Sequence, residues 1–191
     1  MKKIYLLVFI FFSSIINANA ETDRIISGKL DAKILIIVYE SLTCSHCANF
    51  HRDVYPKLKK DYLDTGLAKI EFRHFPLDVA AFNAAKIAQC NIDQGLKILE
   101  KLYLKQNEWV KGNTVDDVND NLKKFLEKSG FKINFENCIN NKVIEDYVLN
   151  DRIEGTKNFN VNATPTIIIN NKKFEKSINY KNLKKSLEKL I

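Results

Sequence analysis

Two cysteines separated by two residues constrain this chain more than any other feature. The segment Cys44-Ser45-His46-Cys47 follows the short apolar run 34–39 and precedes a stretch with helical periodicity. At the start of a helix, unpaired backbone N–H groups and the positive end of the helix dipole favour a thiolate on Cys44. Cys47 lies one helical turn later on the same face, where it can form a disulfide with Cys44. The pattern therefore predicts thiol-disulfide exchange.

The first twenty residues have the pattern of an export signal. Met1-Lys2-Lys3 is basic, residues 4–16 are almost entirely apolar, and Ala18-Asn19-Ala20 places small residues where a signal peptidase cleaves. We expect cleavage after Ala20 and export of the remaining chain. The alternative is an uncleaved anchor, although the apolar segment is shorter than the roughly 20 residues of a typical transmembrane helix.

The positive charge of the chain does not indicate a nucleic-acid-binding protein. The formal net charge is +7, but the lysines are scattered among acidic residues, as in Lys57-Leu-Lys-Lys-Asp61. Nucleic-acid-binding surfaces usually cluster their basic residues on one face. We therefore interpret the lysines as part of a solvated surface.

The chain has four cysteines, and all of them follow the predicted signal. An even number of cysteines in an exported protein suggests two disulfides. Proximity pairs Cys44 with Cys47, which leaves Cys90 and Cys138 for each other if the fold brings them together. The alternative is that Cys90 and Cys138 are separate buried thiols, since neither belongs to a motif of its own.

The first half of the remaining chain predicts a strand, a helix and a second strand. Residues 34–39 are rich in β-branched side chains, residues 44–63 have helical spacing, and residues 68–75 alternate. Thr43 is a candidate N-cap of the helix, and Pro56 predicts a kink or interruption. A strand-helix-strand unit of this kind predicts two parallel strands joined by a right-handed crossover.

From residue 78 to about residue 160 the apolar residues recur at helical spacing. Gly95, Gly112-Asn113 and Ser129-Gly130 are the predicted breaks between these helices. Residues 166–170 and 172–174 then predict a β-hairpin with its turn at Asn170-Asn171, and residues 180–191 predict a final helix.

This order of elements resembles the thioredoxin superfamily with an inserted helical domain. The residues that carry the resemblance are Cys44-Ser-His-Cys47 and Thr164-Pro165-Thr166. With the export signal and the chain length, the sequence is similar to the DsbA family, and segments 43–51 and 73–78 look like its alphaproteobacterial branch. The resemblance implies an α/β, thioredoxin-like fold with an inserted all-helical domain. It divides the chain into a first thioredoxin-like part (21–77), a helical insertion (78–160) and a second thioredoxin-like part (161–191).

The resemblance also implies a role for each motif residue. Cys44 corresponds to the exposed nucleophile, Cys47 to the cysteine that resolves the mixed disulfide, and His46 to a position that tunes the acidity of Cys44. Pro165 corresponds to a cis-proline opposite the dithiol, and the backbone at Thr164 pairs with substrate there. The simpler alternatives are an exposed His46 without a role and an ordinary trans turn at Pro165. The alphaproteobacterial branch often has a second cysteine pair in its insertion, as Cys90 and Cys138 would be.

One position departs from the family pattern. Many relatives have a buried glutamate six residues before the first cysteine, and here that residue is Val38. Glu40 is the nearest acid, and strand alternation directs it to the same side as Val38. We interpret Glu40 as a solvated loop residue, which leaves water as the base that deprotonates Cys47. The alternative is that Glu40 substitutes for the buried acid from the end of the strand.

The function that the resemblance implies is oxidation of cysteine pairs in other exported proteins, in the periplasm. The reaction needs no dissociable cofactor and no metal, and a DsbB-like membrane protein would reoxidise the dithiol. We expect a monomer, because the sequence has no separate dimerisation segment. One alternative is a disulfide isomerase or reductase that uses the same residues. The other is a copper or zinc carrier that binds the metal through Cys44, Cys47 and His51.

Overall fold

The structure of the protein, a computed structural model, describes residues 24–191. The predicted signal segment 1–20 and its cleavage site lie outside these residues. Within the described part of the chain, none of the helices combines the length and the apolar character needed to cross a bilayer.

A five-stranded sheet with the order β1-β3-β2-β4-β5 forms the centre of the fold. The strands are β1 (Ile25–Gly28), β2 (Ile34–Glu40), β3 (Ala68–His74), β4 (Thr166–Ile169) and β5 (Lys172–Lys173). β2 and β3 are parallel, as the strand-helix-strand pattern predicts, and the other pairings are antiparallel. β1 has no counterpart among the predicted strands, because its sequence Ile-Ile-Ser-Gly neither alternates nor forms a longer apolar run.

The sheet is buried on both faces, which explains why residues 34–38 of β2 are all apolar. Ile36 and Val38 point into the main core, whereas Ile37 and Tyr39 belong to a smaller cluster on the opposite face. Helix α8 (Lys142–Phe159) covers that opposite face. It approaches β2 closely at Gly155, where a Cβ atom would lie 2.7 Å from the ring of Tyr39.

The helical segment after β2 alternates between α-helical and π-helical winding. It consists of α1 (Ser45–Asn49), a π-helical turn (Phe50–Val54), α2 (Tyr55–Leu58) and a second π-helical turn (Lys59–Leu63). Proline removes one helical N–H and crowds the carbonyl four residues earlier. The interruption predicted at Pro56 therefore takes the form of the π-helical turn that precedes it, and the helix continues.

Six helices lie between β3 and β4. They are α3 (Val79–Cys90), α4 (Ile92–Leu104), α5 (Gln106–Trp109), α6 (Val115–Lys128), α7 (Phe135–Ile139) and α8. Gly112-Asn113 and Ser129-Gly130 separate helices as predicted, but the break predicted at Gly95 is wrong. Gly95 lies inside α4, where a Cβ atom would be 3.2 Å from the side chain of Ile25. This glycine allows α4 to pack against β1, and the actual break is at Asn91.

The C-terminal part forms the predicted hairpin and helix. Asn170 and Asn171 both have positive φ values, of 44° and 64°, as the tight turn between β4 and β5 requires. The final helix, α9, covers Tyr180–Leu187 and is therefore shorter than the predicted 180–191.

A disulfide joins Cys90 at the end of α3 to Cys138 in α7, with an S–S distance of 2.18 Å and a Cα–Cα distance of 5.6 Å. It closes a loop over a sequence separation of 48 residues inside the helical part of the chain. In the chain-entropy description, a bridge over a loop of this length lowers the conformational entropy of the unfolded chain and thereby stabilises the folded state.

We expect removal of this bridge to destabilise the protein without affecting Cys44 directly. In the chain-entropy description, the double substitution Cys90→Ala and Cys138→Ala should lower the free energy of unfolding by about 4 kcal/mol. Denaturant unfolding of oxidised wild-type and variant proteins measures this difference. An unchanged unfolding midpoint would contradict the stabilising role of the bridge.

Candidate active site

Cys44 lies at the N-terminus of α1, immediately after a turn that follows β2. Its backbone is extended, with φ −78° and ψ 120°, and it occupies the N-cap position. The N-cap predicted at Thr43 is therefore wrong by one residue. The Thr43 hydroxyl instead donates a hydrogen bond to Asp78 Oδ2 at 2.6 Å, because Asp78 at the start of α3 lies beside the turn.

The two cysteines of the motif are free thiols with different environments. Cys44 is partly exposed, whereas Cys47, one helical turn later, has an exposed fraction of 0%. A client thiol can therefore reach only the first of the two sulfur atoms.

The environment of Cys44 stabilises its thiolate. A hydrogen bond from the Cys47 thiol lowers the pKa of Cys44, partial burial opposes this effect, and hydrogen bonding at Thr164 and from the backbone N–H groups of Cys47 and His46 lowers the pKa further. The result is a pKa of about 5, against an ordinary value of 9.0. The backbone N–H contributions are those expected at the N-terminus of a helix.

The pKa of Cys47 moves in the opposite direction. Burial is the main cause of its increase, followed by the hydrogen bond to Cys44 and the negative charge of Glu40. Cys47 therefore holds its proton strongly and donates it in the hydrogen bond to the Cys44 thiolate.

The loop before β4 lies opposite the dithiol. The Thr164–Pro165 peptide bond is cis. Cys44 Sγ lies 3.3 Å from the carbonyl oxygen of Thr164, to which its thiol form can donate a hydrogen bond. The fold thus brings together Cys44, Cys47, Thr164 and Pro165, which the sequence resemblance places in one site.

A groove of about 590 Å³ runs along this site. His46 is exposed and lines the groove together with Phe50, Asp53, Thr164, Pro165 and Lys176. The contribution of His46 to the acidity of Cys44 comes from its backbone N–H. The role predicted for its ring stays a prediction.

Glu40 and His51 form a buried pair behind the dithiol. Glu40 is 3% exposed and His51 is 2% exposed, and Glu40 Oε2 lies 2.8 Å from His51 Nε2. The interpretation of Glu40 as a solvated loop residue is therefore wrong. Glu40 is the last residue of β2, and strand alternation turns its side chain toward the main core, on the same side as the fully buried Val38.

His51 also shares a helical face with Cys47, four residues earlier. Its ring stacks on Tyr103, with 4.1 Å between the ring centroids. Burial and then the charge of Glu40 raise the pKa of Tyr103 well above its ordinary value. Strand alternation and the four-residue helical spacing were both visible in the sequence, but only the fold shows that they bring Glu40 and His51 into contact.

The predicted metal-ligand set of the carrier alternative is not assembled in residues 24–191. His51 Nε2 is bonded to Glu40, and none of the His, Cys, Asp and Glu side chains in the described part of the chain form a group of three suited to a metal ion.

The difference in acidity between folded and unfolded Cys44 predicts a pH dependence of stability. In the folded reduced protein the pKa of Cys44 is about 5, whereas an unfolded thiol titrates near the ordinary value of 9.0. Since the folded state loses this proton first, the reduced protein should gain stability relative to the oxidised protein as pH rises from about 5 to about 9. The stability that the Cys44 thiolate contributes to the reduced protein is fully lost once the pH has fallen through about 5.

Thermal unfolding of both redox forms across this pH range measures the effect, with reduced Cys44→Ser as the control that should not show it. A constant difference between the two melting temperatures would contradict the lowered pKa.

Comparisons with known proteins agree with this geometry. The family model described as "Thioredoxin" matches residues 19–189. The chain is 27% identical over 179 residues to disulfide bond formation protein D of Bacillus subtilis, which covers 85% of this chain and 74% of that protein. It spans 34% and 57% of the lengths of curated relatives from Rickettsia bellii and Rickettsia typhi.

Solved structures include similar proteins of nearly the same extent. Alpha-DsbA1 of Wolbachia pipientis is 31% identical with a TM-score of 0.78, covering 88% of this chain and 90% of that one. BdbD of Bacillus subtilis, in its oxidised form, is 27% identical with a TM-score of 0.74, covering 87% and 91%. With the matched family model and the shared fold, the chain belongs to the thioredoxin family, in its DsbA-like group of thiol-disulfide oxidoreductases.

Proposed function

We propose that this protein is a dithiol oxidase that introduces disulfides into other exported proteins by exchange at Cys44 and Cys47. The observation that carries the proposal is the contrast between the two sulfurs. Cys44 is accessible and has a pKa of about 5, whereas Cys47 is buried and its pKa is raised. One sulfur is thus a good leaving group that clients can reach, and the other is protected.

In the proposed reaction the protein begins with a Cys44–Cys47 disulfide. A client thiolate attacks Cys44 Sγ, the S–S bond breaks, and Cys47 leaves with the electron pair and takes up a proton. A second client thiolate then attacks the client sulfur of the mixed disulfide, and Cys44 leaves as a thiolate. The client loses two electrons and forms a disulfide, and the dithiol receives those two electrons.

The direction of this exchange follows from the acidity of Cys44. A lowered pKa stabilises the reduced form, because that form carries the thiolate at neutral pH. A stabilised reduced form makes the disulfide form a stronger oxidant. The protein should therefore pass its disulfide to clients.

The groove beside Cys44 supports a polypeptide substrate. Thr164 lies at one wall with its carbonyl oxygen 3.3 Å from Cys44 Sγ, and Phe50 and Pro165 provide apolar surface. An extended client segment that lies along the backbone at Thr164 would place its cysteine next to Cys44. The roles of Thr164, Pro165 and His46 are part of the proposal.

The Glu40–His51 pair is the group we assign to proton transfer at Cys47. Glu40 is close enough for its charge to raise the pKa of Cys47, and the pair is closed off from solvent. In this chain Glu40 would take over from the acid that many relatives have at the position of Val38. Cys47 would then exchange its proton with Glu40 instead of with water.

The cellular setting is also a proposal. The pattern of residues 1–20 supports export to the periplasm, and the similarity to DsbA-like proteins supports clients with cysteine pairs. Reoxidation would need a DsbB-like membrane protein. The reaction as written requires no dissociable cofactor, and a monomer is sufficient for it, since all of the proposed residues are in one chain.

Oxidation of a reduced, unfolded protein tests the proposed function. Oxidised protein should transfer about one disulfide per molecule to reduced ribonuclease, whereas Cys44→Ser and Cys47→Ser should transfer none. Reduced Cys47→Ser should accumulate a mixed disulfide with scrambled ribonuclease, because Cys44 attacks a disulfide of the client and no second thiol of the protein releases it. Refolding of scrambled ribonuclease and reduction of insulin are the comparison assays. Isomerase or reductase activity that exceeds the oxidation activity would overturn the oxidase proposal in favour of that alternative.

The assignment of Glu40 predicts a slow step in a single variant. Glu40→Gln keeps the size of the side chain and removes the base, so attack of Cys47 on a Cys44–glutathione mixed disulfide should slow by at least about tenfold. Stopped-flow measurement of glutathione release gives the rate and its pH profile. Glu100→Gln is the matched control. Glu100 accepts a hydrogen bond at 2.8 Å from Tyr55, which lies in the same helical segment as Cys47 and His51, so this variant also neutralises an acid bonded to that segment. Equal rates in the two variants would exclude Glu40 from this step.

A further inference from the structure

The inserted helices hold the turn that carries Cys44. Residues 41–44 connect β2 to α1, and the N–H of Cys44 donates to the carbonyl oxygen of Ser41 at 3.0 Å. From outside the turn, Asp78 accepts a hydrogen bond from Thr43, and the backbone N–H of Leu77 donates to Ser41 Oγ at 3.2 Å. The turn is thus bonded to the segment that leads into the insertion.

Gln106, the first residue of α5, makes the contact nearest to the nucleophile. Its Nε2 donates to the carbonyl oxygen of Leu42 at 2.8 Å and to the carbonyl oxygen of Cys44 at 3.1 Å. One amide group therefore connects the backbone on both sides of Thr43. Gln106 is only partly buried, and these two hydrogen bonds are its contacts with the turn.

The position of Gln106 is itself well defined. α5 is a single turn of helix, and its last residue, Trp109, is completely buried and donates from Nε1 to the carbonyl oxygen of Leu102 at 2.9 Å. A buried tryptophan with its N–H bonded is a rigid anchor. Because Trp109 fixes α5, the side-chain amide of Gln106 is held next to the turn.

The conformation of the turn decides what surrounds the sulfur of Cys44. The carbonyl oxygen of Cys44 accepts the first helical hydrogen bond, from Ala48 N at 3.1 Å, and the extended backbone of Cys44 keeps its side chain beside the open N–H groups of His46 and Cys47. The Gln106 amide also offsets the partial negative charge of the Leu42 and Cys44 carbonyl oxygens to which it donates. Both effects favour the anion.

We propose that Gln106 is a positioning residue for the exchange reaction, which holds the backbone at Leu42 and Cys44 so that the Cys44 sulfur stays at the helix N-terminus. This inference rests on the proposed function in taking Cys44 as the reacting sulfur. It extends that proposal, because it gives the helical insertion a direct part in setting the reactivity of the dithiol.

The test is a comparison of variants by two measurements on purified full-length protein. Thiolate absorbance gives the titration midpoint of Cys44, and equilibration with glutathione gives the stability of the disulfide. Gln106→Leu, which removes both hydrogen bonds, should lower the acid dissociation constant of Cys44 roughly fivefold and shift the glutathione equilibrium toward the disulfide form by a similar factor. Gln106→Lys restores a donor and adds a positive charge, so it should recover the wild-type acidity or exceed it.

Asn121→Leu is the matched control. Asn121 donates from Nδ2 to the carbonyl oxygen of Lys111 at 3.0 Å, so this variant also removes an amide-to-backbone bond of the insertion, but at a place that does not contact the turn. Its titration should equal that of wild type. If Gln106→Leu does not fold, Gln106→Asn, which is too short to reach both carbonyl oxygens, takes its place.

A folded Gln106→Leu or Gln106→Asn variant with wild-type acidity and wild-type equilibrium would overturn the proposal. An equal loss of Cys44 acidity in Gln106→Leu and Gln106→Lys would also overturn it, because such a result would indicate a packing role. Failure of the proposed function has a different signature, because wild-type protein would then fail to oxidise clients. The difference between wild type and Gln106→Leu would still decide the role of Gln106.

Discussion

The hydrogen bond from the Cys47 thiol to the Cys44 sulfur, made at the N-terminus of a helix, is the interaction on which the rest of the site depends. It requires one sulfur to be an anion and the other to keep its proton, and the fold provides both conditions. Cys44 lies at the open end of α1 beside unpaired N–H groups, whereas Cys47 is buried one turn later. The same short motif thus contains a reactive and a protected sulfur.

The sheet and the insertion have separate parts in building this arrangement. β2 ends directly before the turn, and β4 begins directly after the cis peptide bond at Pro165, so the pairing of these two strands brings the dithiol and the proline loop together. The insertion adds contacts to the turn from the other side, through Asp78 and Gln106. The disulfide between Cys90 and Cys138 lies within the insertion, away from these contacts.

The buried acid of this chain lies at Glu40, at the end of β2. Val38 and Glu40 are both on the core side of β2, two residues apart, so an acid at either position can enter the same buried region. At the position of Glu40 it meets His51, which shares a helical face with Cys47. A buried carboxylate needs a partner, because an unpaired buried charge is very costly. His51, which first suggested a metal ligand, is that partner.

Local patterns in the sequence were sufficient for the strand-helix-strand unit, the cysteine motif at a helix start, the helical insertion and the turn at Asn170-Asn171, because each of these depends on residues close together in the chain. They were misleading at Gly95 and Glu40, where the role of a residue depends on packing against a distant strand or helix. The contacts of Gln106 left no sequence signal at all, since a glutamine that bonds to backbone carbonyls more than sixty positions away looks like any surface glutamine. The sequence alone therefore determined which chemistry the chain can perform, and only the tertiary structure decided which side chains surround the two sulfurs, because those contacts join segments that are far apart in the chain.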